Sequence, residues 1–129
     1  MIKNTIDELV LQADNDKGAA EALLNAGYYA HALFWLHLVL EKLCKALWVK
    51  HRKDEKYPHI HNLIKLLKEA EINLSNEQIV LYGDMNQFQA RGRYADELAA
   101  KEKTVTKELS EIYFQKINIE IKWLKNQLQ

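Results

Sequence analysis

Apolar residues recur at three- and four-residue steps along most of the chain, the period of a helix that buries one face. Ile2, Ile6, Leu9, Val10, Ala13, Ala20, Leu23 and Leu24 predict a first helix from about residue 2 to 25. Gly18 weakens its middle by roughly 1 kcal/mol relative to alanine, but the spacing continues through it. Asn25-Ala26-Gly27 supplies a stop, because Gly27 is free to take a positive φ. A short link leads into a second helix, about 28 to 51. The polar segment VKHRKDEKYP follows as a loop, and its Pro58 cannot continue the preceding helix. Helical spacing resumes from His59 to Glu71 through Ile60, Leu63, Ile64, Leu66 and Leu67.

Ser75 with Gln78 three residues later has the form of a capping box, so another helix should start near residue 76. Its apolar positions are Ile79, Val80, Tyr82, Met85 and Phe88, and it should weaken around Ala90 to Gly92. Val105, Leu109, Ile112, Tyr113, Ile117, Ile121, Trp123, Leu124 and Leu128 mark a final long helix. With no internal repeat or low-complexity tract, the pattern predicts an all-α fold. It is one domain over residues 1–129, a bundle of four main helices plus a shorter one.

Within the second helix the stretch HALFWLHLVLEKLCKAL is mostly core, yet His37, Glu41 and Lys45 interrupt it at four-residue intervals. At about 100° per residue they form one polar stripe, which His31 and Lys42 widen to roughly 140°. Phe34, Leu38 and Trp48 fall inside the same sector. Two readings stay open from spacing alone. The stripe is a solvent face with a helpful Glu41–Lys45 pair, or it lines a cleft or subunit interface where Phe34 and Trp48 also find cover.

Composition narrows the class. At 129 residues, 48% hydrophobic and 28% charged, with four glycines and one proline, the chain is too apolar for disorder and too poor in turn residues for an all-β fold. Eighteen basic residues balance eighteen acidic ones, so no global field draws nucleic acid or an anionic membrane, and a site for an anion must be a local cluster. The single cysteine, Cys44, excludes an internal disulfide and reads as a small core residue. The start MIKNTIDELV lacks the apolar core of a signal peptide. No run approaches the roughly 18 apolar residues that suggest a spanning helix. The expectation is a soluble cytoplasmic domain without membrane contact.

A local cationic cluster does exist. Residues 88 to 96 read FQARGRYAD and gather Arg91, Arg93, Tyr94 and Asp96 around a glycine. Two guanidiniums can hold phosphate through paired N–H donors, and a tyrosine can stack on a base. Asp96 can orient an arginine or hydrogen-bond a sugar. Alternatively, the arginines pair with acidic residues of neighbouring helices. His59 and His61 form an H-x-H pair; on a helix they point about 200° apart and cannot share an ion, whereas on an extended segment they could, with His51 joining, and capping or packing roles at the helix start are expected rather than metal binding. No carboxylate pair, nucleophile elbow or glycine-rich phosphate loop is present.

The ordered set AGYYAHALFWLHLVLEKLCKAL, HIHNLIKLL and FQARGRYAD resembles the HEPN domain family (higher eukaryote and prokaryote nucleotide-binding). The resemblance rests on Gly27-Tyr28-Tyr29, Glu41-Lys42 with Lys45-Ala46, His61-Asn62-Leu63 and Arg93-Tyr94-Ala95-Asp96, and spans almost the whole chain. It implies an antiparallel four-helix up-and-down bundle with a short additional helix, and a homodimer. It also implies a polar site built from the second helix and the end of the fourth, where nucleotide or RNA binds; the candidates for it are His37, Glu41, Lys45, Arg91, Arg93, Tyr94 and Asp96, at or near a dimer interface, with no cofactor or metal expected. The implied role is an accessory subunit, not an enzyme on its own, acting with a minimal nucleotidyltransferase partner in a toxin–antitoxin-like pair. Two other readings remain: a metal-independent ribonuclease with a variant site, and a non-catalytic dimerisation module.

Ribonuclease members carry Arg-x4-6-His in the C-terminal half, whereas here no histidine follows Arg91 and Arg93, and Asp96 stands near its place. A carboxylate beside a scissile phosphate would repel developing negative charge. Arg52 and His59 match the spacing, but in the predicted loop, where the match is read as chance. Glutamines often stand in the family where His37 and Leu38 stand here, so the site chemistry should differ locally.

Overall fold

A computed structural model describes residues 1–89 and 99–129. The first helix, α1 (Ile2–Asn25), turns Leu9, Ala13 and Ala20 into the core. Ile2, Ile6, Val10, Leu23 and Leu24 pack at the edge of that core. It ends in a left-handed reversal at Gly27, φ +87°. The Tyr28 N–H donates to Leu23 O at 2.9 Å and the Gly27 N–H to Leu24 O at 3.1 Å, satisfying carbonyls that a helix end leaves bare.

The second helix, α2 (Tyr29–Arg52), is the centre of the bundle. Sixteen of its 24 residues are buried, more than a single apolar face can account for, so neighbours surround it. It runs against α1 through most of its length, and residues 63–69, 86–88 and 107–127 cover its other sides. Lys42 Nζ donates to Asp16 Oδ2 of α1 at 3.1 Å.

After α2 the chain is not helical again until α3 (Leu63–Glu69), four residues later than the spacing predicts. Asn62 decides the start. Its Oδ1 accepts from the Ile64 and Lys65 N–H groups at 3.1 and 3.2 Å, which satisfies two orphan donors and holds Asn62 itself extended. The next helix, α4 (Asn76–Met85), opens with the expected capping box of Ser75 and Gln78. It tightens into a 3₁₀ turn, Asn86–Phe88. Residues 99–102 are helical, and α5 (Lys107–Gln127) is capped by Thr106.

Phe34, Phe88 and Tyr113 stack edge to face at 6.0 and 5.9 Å, joining α2, the 3₁₀ turn and α5. Glu120 of α5 accepts from Gln78 Nε2 and Tyr82 Oη of α4, both at 2.9 Å. The fold is an all-helical bundle, and among the described residues no helix is long and apolar enough to cross a membrane. Not every apolar position faces inward. Ile79 and Val80 of α4 and Leu109 and Ile112 of α5 are exposed, contrary to their reading as core positions.

Candidate functional site

The polar stripe of α2 is neither a solvent face nor the lining of an open cleft. His37, Glu41 and Lys45 are only 0%, 4% and 6% exposed. Four-residue spacing puts them on one side of the helix, and that side is closed by chain that follows it. The Tyr57 ring lies 5.5 Å from Lys45 Nζ, and His61 reaches Glu41 from the extended segment before α3. The late start of α3 that Asn62 sets makes this covering possible: residues 59–62 stay non-helical and deliver His61 to α2.

Glu41 is the hub. Lys45 Nζ donates to Glu41 Oε2 at 3.0 Å, and His61 Nδ1 lies 2.9 Å from Oε1. His37 Nδ1 stands 3.8 Å from the same oxygen, too far for a hydrogen bond. Burial pushes the Glu41 carboxyl up, but hydrogen bonds from His61 and Lys45 and the nearby charges outweigh it, holding the group below its ordinary value. It is an anion with its two oxygens committed to different partners.

His37 has the opposite balance. Burial lowers its pKa to about 4, and the Glu41 charge and the Asn86 side chain offset only part of that. Neither ring nitrogen completes a hydrogen bond among the described residues. A neutral imidazole with two unsatisfied nitrogens, fully inside the protein, is a costly arrangement. Asn86 anchors the surroundings: its Oδ1 accepts from the Leu63 N–H at 3.0 Å and its Nδ2 donates to Asn62 Oδ1 at 3.1 Å. The start of α3 and the end of α4 are thereby clamped together beside His37.

Arg91, Arg93, Tyr94 and Asp96 lie outside the described residues. The residues flanking that segment pack toward the first half of α2. Phe88 meets Phe34, Lys101 Nζ donates to Gln87 Oε1 at 2.8 Å, and Glu102 Oε1 lies 3.3 Å from His31 Nδ1. Cys44 and the spare basic residues have simple roles. Cys44 is a free, fully buried thiol whose pKa burial drives upward, a core residue with no nucleophilic character. Arg52 stacks 5.7 Å from the Trp48 ring, and His51 pairs with Glu71 at 2.9 Å. Among the described residues no group of His, Cys, Asp and Glu could hold a metal ion.

Reasoning on the sequence did not find His61 as the partner of Glu41, nor Asn86 and Tyr57 as part of the cluster. The only local signal was Asn62, a strong N-cap residue whose position argues that His61 precedes the helix rather than riding on it. No curated protein and no solved structure shows significant similarity to the chain. A family model described as HEPN domain does match, over residues 6–126, nearly the whole length. With a central helix that carries Glu41 and Lys45, and the bundle the resemblance implied, the chain belongs to the HEPN domain family.

Proposed function

We propose that the protein is a nucleotide-binding accessory subunit that works with a minimal nucleotidyltransferase in a toxin–antitoxin-like pair. The observation that supports this reading is the buried, Glu41-centred polar cluster at the middle of a HEPN-family bundle, next to the residues that flank the Arg91–Asp96 segment. Arg91 and Arg93 hold phosphate, Tyr94 stacks on the base, and Asp96 orients an arginine or bonds the sugar. His37, Glu41 and Lys45 are the contribution of α2 to the site. Because Lys45 is neutralised by Glu41, the arginines carry the anion, which fits a chain whose overall charge is zero.

The test is a calorimetric titration of the protein with ATP, GTP and a short RNA, beside Arg93→Ala. Nucleotide binding that weakens by at least about tenfold in the variant is expected, the loss of one charge-assisted contact. Wild-type protein that binds none of the three, alone or with a co-purified transferase, would overturn the reading. Cleavage of the RNA would replace it with a ribonuclease.

The working form in this proposal is a homodimer joined through α4 and α5. Leu109, Ile112, Ile119 and Val80 stand exposed around a groove of about 770 Å³ between the two helices. Val80 and Ile119 are 64% and 68% exposed, and residues so apolar gather on an open surface mainly where a partner covers them. Lys116 sits among the apolar residues of α5, and Glu77 and Asp84 line the α4 wall. None of the three has an ion pair among the described residues. A second copy related by a two-fold axis supplies both the apolar cover and the opposite charges, since one surface carries both signs.

A further inference from the structure

The polar stripe of α2 is sealed by a segment that has little of its own to hold it. None of residues 53–61 is buried, and among the described residues no backbone-to-backbone hydrogen bond ties them to the rest of the chain. Their attachments are side-chain contacts. His61 Nδ1 meets Glu41 Oε1 at 2.9 Å, the Tyr57 ring covers Lys45, and Tyr57 and Ile60 pack half-buried at the core edge. Glu55 accepts from the Met1 nitrogen at 2.8 Å, an exposed pair that adds little. Both ends are defined. Lys53 leaves α2 at a left-handed φ of +53°, and Asn62 is clamped to Asn86 and to the first turn of α3. Segments with few buried contacts and few backbone hydrogen bonds open at a small fraction of the cost of global unfolding.

What lies underneath lowers that cost further. Lys45 donates to Glu41 within α2, so the pair stays intact when the segment above it moves. Water replaces the His61 bond at one carboxylate oxygen and hydrates the ammonium, whereas an apolar stripe would lose its cover outright. A buried ion pair adds little to stability compared with an apolar set of similar size, but a face that alternates between cover and water needs polar groups. We propose that residues 53–61 are a strap that lifts from α2 as a unit, hinged at Lys53 and Asn62, and uncovers Glu41 and Lys45 while the bundle stays folded. Side chains so sealed cannot touch a ligand with the strap down, so its opening controls access to the α2 side of the site. As a control on that site the inference rests on the nucleotide-binding reading, but the motion is tested without a nucleotide and either can fail alone.

The experiment acetylates the wild-type protein with an N-hydroxysuccinimide ester and follows Lys45 by peptide mass, beside the reaction of Cys44 with an aromatic disulfide. Both run from zero urea to just below the unfolding transition. Cys44 is fully buried in the core one residue away, so its reaction reports opening of the bundle. Each rate is divided by its value in the unfolded chain. Lys45 should be protected at least about 100-fold less than Cys44, with a rate that barely rises with urea, since a local opening exposes little surface. His61→Ala removes the strap's bond to Glu41 and should speed Lys45 acetylation about tenfold without steepening its urea dependence. Equal protection of Lys45 and Cys44, with one urea dependence, means that the stripe opens only with the bundle, and overturns the proposal. So does a Lys45 that reacts fast and is indifferent to His61→Ala, because its ammonium is then reached without any motion. Should His61→Ala fail to fold, Ile60→Ala loosens the strap through its apolar contact instead, and it must accelerate Lys45 in the same way.

Discussion

His37 and Glu41 stand one turn apart on α2, and burial acts on them with opposite final results. Glu41 keeps its charge because two partners compensate for lost water, while for His37 the Glu41 charge and the Asn86 side chain offset only part of the burial and the ring stays neutral. The pH consequence follows in sign. The folded pKa of His37 is about 4 against 6.5 for an ordinary histidine, so the unfolded chain takes up the proton first. Stability is full above pH 6.5 and is lost as pH falls toward 4. Glu41, also lowered, withdraws its own contribution below the ordinary carboxylate range. Urea unfolding should show a loss of roughly 2 kcal/mol from pH 7 to pH 5. In His37→Leu that slope should flatten, because no buried imidazole remains to charge. An unchanged slope in the variant would assign the effect to other groups.

At the scale of elements, the start of α3 is a joint between two pieces of chain. Asn62 Oδ1 serves two amide donors of its own helix and one from Asn86, and Asn86 returns a bond to the Leu63 N–H. Each asparagine therefore supports the other's work. Asn62→Ala should destabilise the fold by about 1–2 kcal/mol, the usual loss of an N-cap. Asn86→Ala should cost about 1 kcal/mol or more by leaving a helix-start N–H without an acceptor. The double variant should lose less than the sum of the single losses, with a coupling of at least about 0.5 kcal/mol, since the two share a bond. Strict additivity in denaturant melts would show that the joint does not act as one unit.

Among the described residues the core gathers around α2, and an apolar surface is left over between α4 and α5. A bundle could have hidden Ile112 and Ile119 by bringing these helices closer. Instead Gln78 and Tyr82 reach Glu120 beneath the groove, and the polar link holds the two helices at a fixed spacing. Sedimentation equilibrium of the wild type should report a dimer, and Ile112→Asp should report a monomer with an unchanged helical spectrum. The substitution places a charge where an apolar contact is expected, which weakens association by 100-fold or more on the order of the usual interface penalty. A monomeric wild type would remove the homodimer from the proposed function. A dimer indifferent to Ile112→Asp would move the interface elsewhere.

Much of the architecture is written locally. Three- and four-residue spacing located α1 and α2 to within a residue, Gly27 announced its positive φ, and Ser75 with Gln78 marked the start of α4. Those features depend on the backbone and its nearest neighbours, so a linear reading can find them. The same periodicity put His37, Glu41 and Lys45 on one face, and the residues Gly27 to Asp96 carried the family resemblance. Whether a face meets water, a cleft or another segment is settled by packing between parts of the chain far apart in sequence. That is why the stripe proved interior, why His61 came to Glu41 from 20 positions away, and why Ile79 and Val80, apolar by type, ended on the surface. Helical period assigns residues to sides, and only the tertiary fold assigns sides to their surroundings.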